Sequence, residues 1–272
     1  MKFHSISFKE KFFKLVALCS LALGFQLMST GVQAQSSWDT IQKSKTIKIA
    51  IPTDFPPYGF VGIDLQPQGL DVEMAQFIGQ KLGVKVELVP VSSPNRVAYL
   101  QTKKVDLVIS TLGRNPEREK VIDFTHAYAP YYQAVFAPKS LNVKSFNDLA
   151  GKTISATRGS LEDTELTKLA PASAQIKRFE DNSATVSAFV AGQVQSIATG
   201  ASVAAALIQK NPQLGAEFKL LIKDSPCFIG VAKGEDTLRT KVNEVITAAY
   251  KAGDLEKLSQ KWLARSTGEL PE

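Results

Sequence analysis

Gly69-Leu70-Asp71-Val72-Glu73-Met74-Ala75-Gln76-Phe77-Ile78-Gly79-Gln80-Lys81-Leu82-Gly83-Val84-Lys85-Val86-Glu87-Leu88-Val89 changes its hydrophobic period partway along. Leu70, Met74, Phe77, Ile78 and Leu82 recur at helical spacing, which predicts a helix over 69–82. Gly83 supplies a stop. Val84 to Val89 then alternates apolar and polar, the period of a strand. Upstream, Ile47-Lys48-Ile49-Ala50-Ile51 is a short β-rich run halted by Pro52 and by Pro56-Pro57. Downstream, Arg96–Gln101 reads as a short helix and Asp106–Ser110 as another strand. Strand, helix, strand, helix, strand with short connections predicts a mostly parallel sheet covered by helices.

The pattern then restarts. Ala134–Ala137 is predicted as a strand, followed by a polar stretch over 142–148 and a strand over 151–157. Helices are expected over 160–169, 183–191 and 202–210, with a strand over 194–198 among them. Cys227–Ala232 is again strand-like, and two amphipathic helices, 237–252 and 254–263, close the chain around Gly253. The expected fold class is α/β, with two lobes. If the middle stretch is one lobe, the chain enters it near Phe136–Pro138 and leaves it near Pro226–Ile229. Lobe 1 is then residues 35–135 plus 229–272, and lobe 2 is residues 136–228. Two crossing strands form a hinge, because a few torsions there rotate one lobe against the other. Two independently packed domains or one continuous sheet satisfy the same pattern.

Composition narrows the function. The chain has 272 residues, 44% hydrophobic and 21% charged, proportions that suit a packed soluble protein rather than a disordered or many-span chain. Lys2, Lys9 and Lys11 precede an apolar stretch from Phe12 to Phe25, interrupted only by Lys14, Cys19 and Ser20, and Val32-Gln33-Ala34 follows with small residues. That order is the pattern of a secretory signal peptide, residues 1–34, cleaved after Ala34. The rivals are an N-terminal anchor, for which the run falls short of the roughly 20 residues needed, and lipid attachment at Cys19, which bulky Leu18 disfavours. Without residues 1–34 the chain carries 28 basic and 25 acidic residues, a poor match to nucleic-acid binding. The exported chain keeps one thiol, Cys227, so no intrachain disulfide is available. Two histidines, His4 and His126, build no His-rich metal centre.

Strand ends supply the candidate residues. In an open parallel sheet, ligands bind beyond the carboxyl ends of strands. After Asp106–Ser110 come Thr111, Gly113 and Arg118: a hydroxyl, a place for close backbone approach, and a planar fork that can take a carboxylate through two parallel bonds. Arg118 also fits a solvated helix start. In the second lobe, Thr157 ends a strand and Gly159-Ser160 opens a helix with Glu162 and Asp163. Ser160 reads as an N-cap with Asp163 at the third helical position, as part of a carboxylate site, or as both. Asp54-Phe55-Pro56-Pro57-Tyr58 places aromatics on a stiff loop, suited to a pocket wall or to the core. Asn95-Arg96 lies at another strand-to-helix junction, where a second guanidinium would suit a second anionic group. No G-x-S-x-G, H-E-x-x-H, G-x-G-x-x-G or G-x-x-x-x-G-K-[ST] occurs, so no catalytic residue, metal ligand or cofactor is assigned.

Taken together, the N-terminal segment, Thr53-Asp54-Phe55-Pro56-Pro57-Tyr58, Gly69–Ala75 and Ile109-Ser110-Thr111 through Arg118 resemble the extracellular solute-binding proteins of family 3. Phe146–Lys152, Gly159-Ser160 and Lys261-Trp262-Leu263 extend the resemblance over residues 45–264. It implies a periplasmic-binding-protein-like fold: two lobes on two hinge strands, closing on a polar amino acid or other small carboxylate. The partner implied is a cognate ABC permease in the inner membrane. A monomer in the periplasm, with no nucleic acid and no cofactor, is expected. The Arg118 position implies the carboxylate clamp, helped by Thr111, Gly113 and Ser160, with Tyr58 packing on the ligand. Pro90–Val97 is similar to the glutamate/aspartate-binding branch, which implies that Arg96 meets an acidic side chain. Members usually carry an Asp for the ligand ammonium where Gln195 or Gly200 stands here; Asp54 is the candidate substitute. Thr157 and Gly200 complete the expected ligand set. The alternative function is an exported lyase similar to cyclohexadienyl dehydratases on the same scaffold, with Glu162 and Glu180 as acids to test.

Overall fold

Local sequence accounts for most of the elements in chain order. The computed structural model describes residues 36–272, so the expected signal peptide lies outside the described residues. Helix α1 (Ser37–Ser44) starts on Ser36, whose side chain accepts from the Asp39 N–H. Strand β1 (Thr46–Ile51) follows, then a small antiparallel trio: β2 (Asp54–Phe55), β3 (Gly59–Val61) and β4 (Pro67–Gln68). Helix α2 (Leu70–Leu82) ends on Gly83 at φ 67°, a left-handed conformation that glycine adopts without strain. Next come β5 (Lys85–Pro90), α3 (Arg96–Gln101), β6 (Leu107–Leu112), α4 (Pro116–Glu119) and β7 (Ile122–Ala129).

The middle of the chain repeats the scheme. It runs β8 (Tyr132–Pro138), β9 (Thr153–Thr157), α5 (Leu161–Leu169), β10 (Gln175–Phe179), α6 (Asn182–Val190), β11 (Ser196–Gly200), α7 (Ala201–Lys210) and β12 (Ala216–Asp224). Strand β13 (Cys227–Ala232), α8 (Asp236–Lys251) and α9 (Asp254–Leu263) then return to the first lobe. The two five-stranded sheets have orders β5-β1-β6-β13-β7 and β10-β9-β11-β8-β12. In each, three parallel strands are extended by two more through antiparallel pairings, so that only the fourth strand, β13 or β8, runs against the rest. The result is two α/β lobes, each with its own core. Ile47, Ile49 and Ile51 sit wholly buried with Met74, Ile78, Ile229 and Val242 in the first. Ile154, Ala156, Leu166 and Val135 fill one face of the second sheet, and Phe136, Ile197 and Leu207 the other.

The chain crosses between sheets at Pro130-Tyr131 and at Ser225-Pro226. The Ser225 N–H donates to the Tyr131 carbonyl at 3.1 Å, so the crossings touch each other. Both differ from the positions read from sequence. Residues 133–135 already pair with β11, and Cys227 and Phe228 already pair with β7. Proline explains the offset: Pro130 and Pro226 have no N–H to give a ladder, so pairing breaks beside each of them.

Candidate ligand-binding site

The site forms where β6 and β9 each run into a helix. At the first junction Thr111 takes φ 43°, a conformation that β-branched residues rarely adopt. Its neighbours over-determine it. The Thr111 N–H donates to Asp71 Oδ2 at 2.8 Å, and Arg96 Nη1 donates to the carbonyls of Ser110 at 2.7 Å and Thr111 at 3.3 Å. Arg96 Nε donates to the Ser93 carbonyl at 3.2 Å. Asp71 also accepts from the Tyr128 hydroxyl at 2.6 Å. Burial pushes the Asp71 carboxyl up to about 7, against the lowering effect of those two bonds and of Arg96.

Beyond β6, Asn115 caps α4 by accepting the Arg118 N–H at 2.8 Å. Arg118 Nη1 donates to the Gly113 carbonyl at 2.6 Å, and Nη2 reaches across the lobes to the Gly159 carbonyl at 2.9 Å. Burial, then the positive charge of Arg96, lowers the Arg118 guanidinium to about 9. A Cβ at Gly113 would come 2.5 Å from the Leu161 side chain. That glycine therefore gives the second lobe room to close, a role beyond the backbone approach read from sequence.

The second junction is acidic. Ser160 caps α5 by accepting the Asp163 N–H at 3.1 Å. Asp163 accepts from the Gly159 N–H at 3.1 Å and pairs with Arg178 at 2.7 Å. Thr157 Oγ1 lies 2.9 Å from Asn182 Oδ1 and 2.8 Å from Thr185 Oγ1. Glu162, only 5% exposed, accepts from the Tyr131 hydroxyl at 2.5 Å. Glu180, the other acid singled out from sequence, instead forms an exposed pair with Arg158.

The lobes meet around a chamber of about 10 Å³. That is room for about one water, so an amino acid enters only when the lobes part. Of the residues expected from sequence, Arg96, Thr111, Thr157 and Ser160 line it, together with Phe55, Tyr131, Glu162 and Asn182. Arg118 and Gly113 stand beside it as the inter-lobe bridge. Three residues are placed elsewhere. Tyr58 is core, 1% exposed, with its hydroxyl on the Pro130 carbonyl, and Phe55 takes the wall position. Asp54 accepts from the Asn182 N–H at 2.7 Å, Asn182 Nδ2 at 2.9 Å and the Ser183 N–H at 3.3 Å, so it latches onto the start of α6 across the cleft. Gly200 lies against the Tyr131 ring: a Cβ there would sit 2.6 Å from Tyr131 Cζ. Sequence reading passed over Tyr131, for which Pro130 is the only local signal, and took Glu162 as a helix-start acid and as an acid to test under the lyase alternative.

The chain belongs to the bacterial extracellular solute-binding proteins, family 3, whose pattern matches residues 47–265. It is 25% identical to the L-cystine-binding protein TcyJ of Escherichia coli (strain K12), over 82% of this chain and 84% of that one. A solved ancestral arginine-binding protein bound to arginine is 32% identical with a TM-score of 0.76, covering 80% of this chain and 98% of that one. The ancestral amino acid-binding protein AncCDT-1, a precursor of cyclohexadienyl dehydratase, is 28% identical with a TM-score of 0.75, covering 84% and 100%. Members of the family are extracytoplasmic binding proteins of amino-acid ABC importers rather than enzymes. This chain is such a component, taking a small polar amino acid.

Proposed function

We propose that this solute-binding protein closes on an L-α-amino acid with an acidic side chain and hands it to its ABC permease. The observation that carries the reading is the pair of buried guanidinium groups, Arg96 at 3% exposure and Arg118 at 8%. Neither has a carboxylate within ion-pair distance among the described residues. Two such cations side by side are costly in a closed, poorly solvated cleft, and ligand carboxylates would relieve both. Arg118 exchanges its Gly159 bond for the α-carboxylate, with Ser160 and Thr111 beside it. Arg96 keeps its three backbone acceptors through Nε and Nη1 and turns Nη2 to the side-chain carboxylate. The crossings at residues 130–131 and 225–226 act as the hinge between a lobe built from both chain ends and a lobe built from the middle.

A second reading has a specific support: the relative of highest quoted identity is an arginine-binding protein. Glu162 would then face a basic side chain. Native mass spectrometry of the purified protein, followed by calorimetric titration with glutamate, aspartate, glutamine and arginine, separates the two. Retention of an acidic amino acid, and its tightest binding in the titration, is expected. Retention of arginine, with glutamate binding no better than glutamine, overturns the acidic preference.

A further inference from the structure

Four buried or half-buried carboxylates surround the cleft, and three of them accept two or more hydrogen bonds. Asp54 accepts three hydrogen bonds, Asp71 accepts two, and Asp163 pairs with Arg178 and accepts the Gly159 N–H. Glu162 is the exception. It is 5% exposed, lines the chamber, and has one partner among the described residues, the Tyr131 hydroxyl. It forms no ion pair with them. An ionised carboxylate so placed leaves most of its lone-pair capacity unused, a costly state inside a closed cleft.

Its single partner is informative as well. Tyr131 belongs to the first crossing between the lobes, and its carbonyl accepts the Ser225 N–H of the second crossing. Its ring occupies the space above Gly200, where any side chain would collide with it. The tyrosine is therefore fixed by the hinge backbone and by a position that carries no Cβ, and its hydroxyl is delivered to Glu162 in the closed arrangement. A hydroxyl is a neutral donor. It satisfies one lone pair, and the charge is balanced only from beyond hydrogen-bond reach, by Arg96 and Arg118.

We propose that Glu162 is the residue that reads the ligand's α-ammonium group, and that Tyr131 positions it. The assignment rests on the amino-acid reading given above. The chamber is then polarised: guanidinium groups on the first lobe face the carboxylates, and the second-lobe carboxylate with a single hydrogen-bond partner faces the amine. Glu162 selects amino acids over the same acids without nitrogen, because closing on a deaminated ligand would strand it.

The test uses the exported chain with two matched pairs of probes: glutamate with glutarate, and arginine with 5-guanidinopentanoate. Each pair differs by the α-amino group alone. In the wild type the amine-bearing member of a pair should bind more tightly. Glu162→Gln should weaken that member by roughly 30-fold or more, the scale for truncating one side of a buried charge pair, while the amine-free member holds or improves. The preference ratio within the pair should therefore collapse. Glu162→Asp keeps the charge and should retain the direction of the preference, which guards against a variant that merely packs badly. Tyr131→Phe should shift the same ratio while leaving the thermal midpoint nearly unchanged. A ratio unmoved by Glu162→Gln, with both members weakened equally, overturns the assignment but leaves the amino-acid reading standing. Binding of none of the four probes by the wild type overturns both.

Discussion

The two strand-to-helix junctions that face each other across the cleft are built alike and charged oppositely. After β6 the chain presents Arg118 and, from the neighbouring junction, Arg96; after β9 it presents Ser160 and Glu162. The means of support differ too. The second junction supports itself, with Ser160 and Asp163 satisfying the first backbone groups of α5. The first borrows its support: Asp71 from α2 holds the Thr111 N–H, and Arg96 from α3 holds the carbonyls around it. A junction supported from a distance can hold an unfavourable backbone angle, and Thr111 at φ 43° is where that angle falls. Opposite charge on the two facing junctions would give a zwitterionic ligand one preferred orientation.

The strongest way to break this comparison is to remove the basic side. Arg118→Ala should weaken every carboxylate ligand by about 2–5 kcal/mol, since it deletes one side of a buried charge interaction. Arg118→Lys separates charge from shape: a point charge restores part of the energy but not the two-pronged geometry. Titration calorimetry of both variants reads the difference. If Arg118→Ala binds like the wild type, Arg118 is only the bridge to the Gly159 carbonyl, and Arg96 becomes the anchor.

The borrowed support makes its own prediction. In the folded chain burial pushes the Asp71 carboxyl from its ordinary 3.8 up to about 7. Between those values the folded state holds a proton that the unfolded chain has released. This group's contribution to stability is thus complete below pH about 4 and is lost as pH rises to about 7, by up to about 4 kcal/mol. Tyr128 and Thr111 donate to the carboxyl and Arg96 lies near it, and all three oppose the rise. Asp71→Asn has no proton to lose. Urea unfolding at several pH values should show wild-type stability falling relative to the variant from pH 4 to 7, then running parallel above. Parallel curves throughout would place Asp71's titration outside that range.

The same contrast explains what was legible in the sequence. Periodicity located α2, α3, α9 and β13 within a residue, because Gly83, Gly253 and the apolar spacing act locally. Beyond the small trio β2–β4, three strands of the two main sheets were passed over. Ile122–Ala129 contains Thr125 and His126 within its apolar run, and Gln175–Phe179 and Ala216–Asp224 lie at sheet edges, where one side needs no apolar partner. At the candidate site, the places of Arg96, Thr111, Thr157 and Ser160 around the chamber were legible because all four lie at strand-to-helix junctions. Tyr131 was not, and Glu162 was read only as a helix-start acid and as an acid to test for a lyase. Their meaning depends on a contact between residues 31 positions apart that forms only when a hinge residue meets the other lobe. Asp54 was misread for the same reason, since the start of α6 that occupies it belongs to the opposite lobe.

The smallest effect tests whether the self-supported junction has a second task. Ser160 Oγ accepts the Asp163 N–H, which leaves its own proton free to donate. As a cap alone, Ser160→Ala should cost about 1 kcal/mol of unfolding free energy and leave ligand affinity almost unchanged. As a cap that also donates to the ligand carboxylate, it should lose a similar amount from binding. Ser160→Thr keeps both the accepting oxygen and the proton, so it should recover most of each loss. Measuring unfolding and titration on the same three proteins separates the roles. A binding loss in Ser160→Ala that Thr repairs assigns the hydroxyl to the ligand. A stability loss without one makes Ser160 the counterpart of Asn115 at the first junction, which holds a helix start so that its neighbour carries the charge.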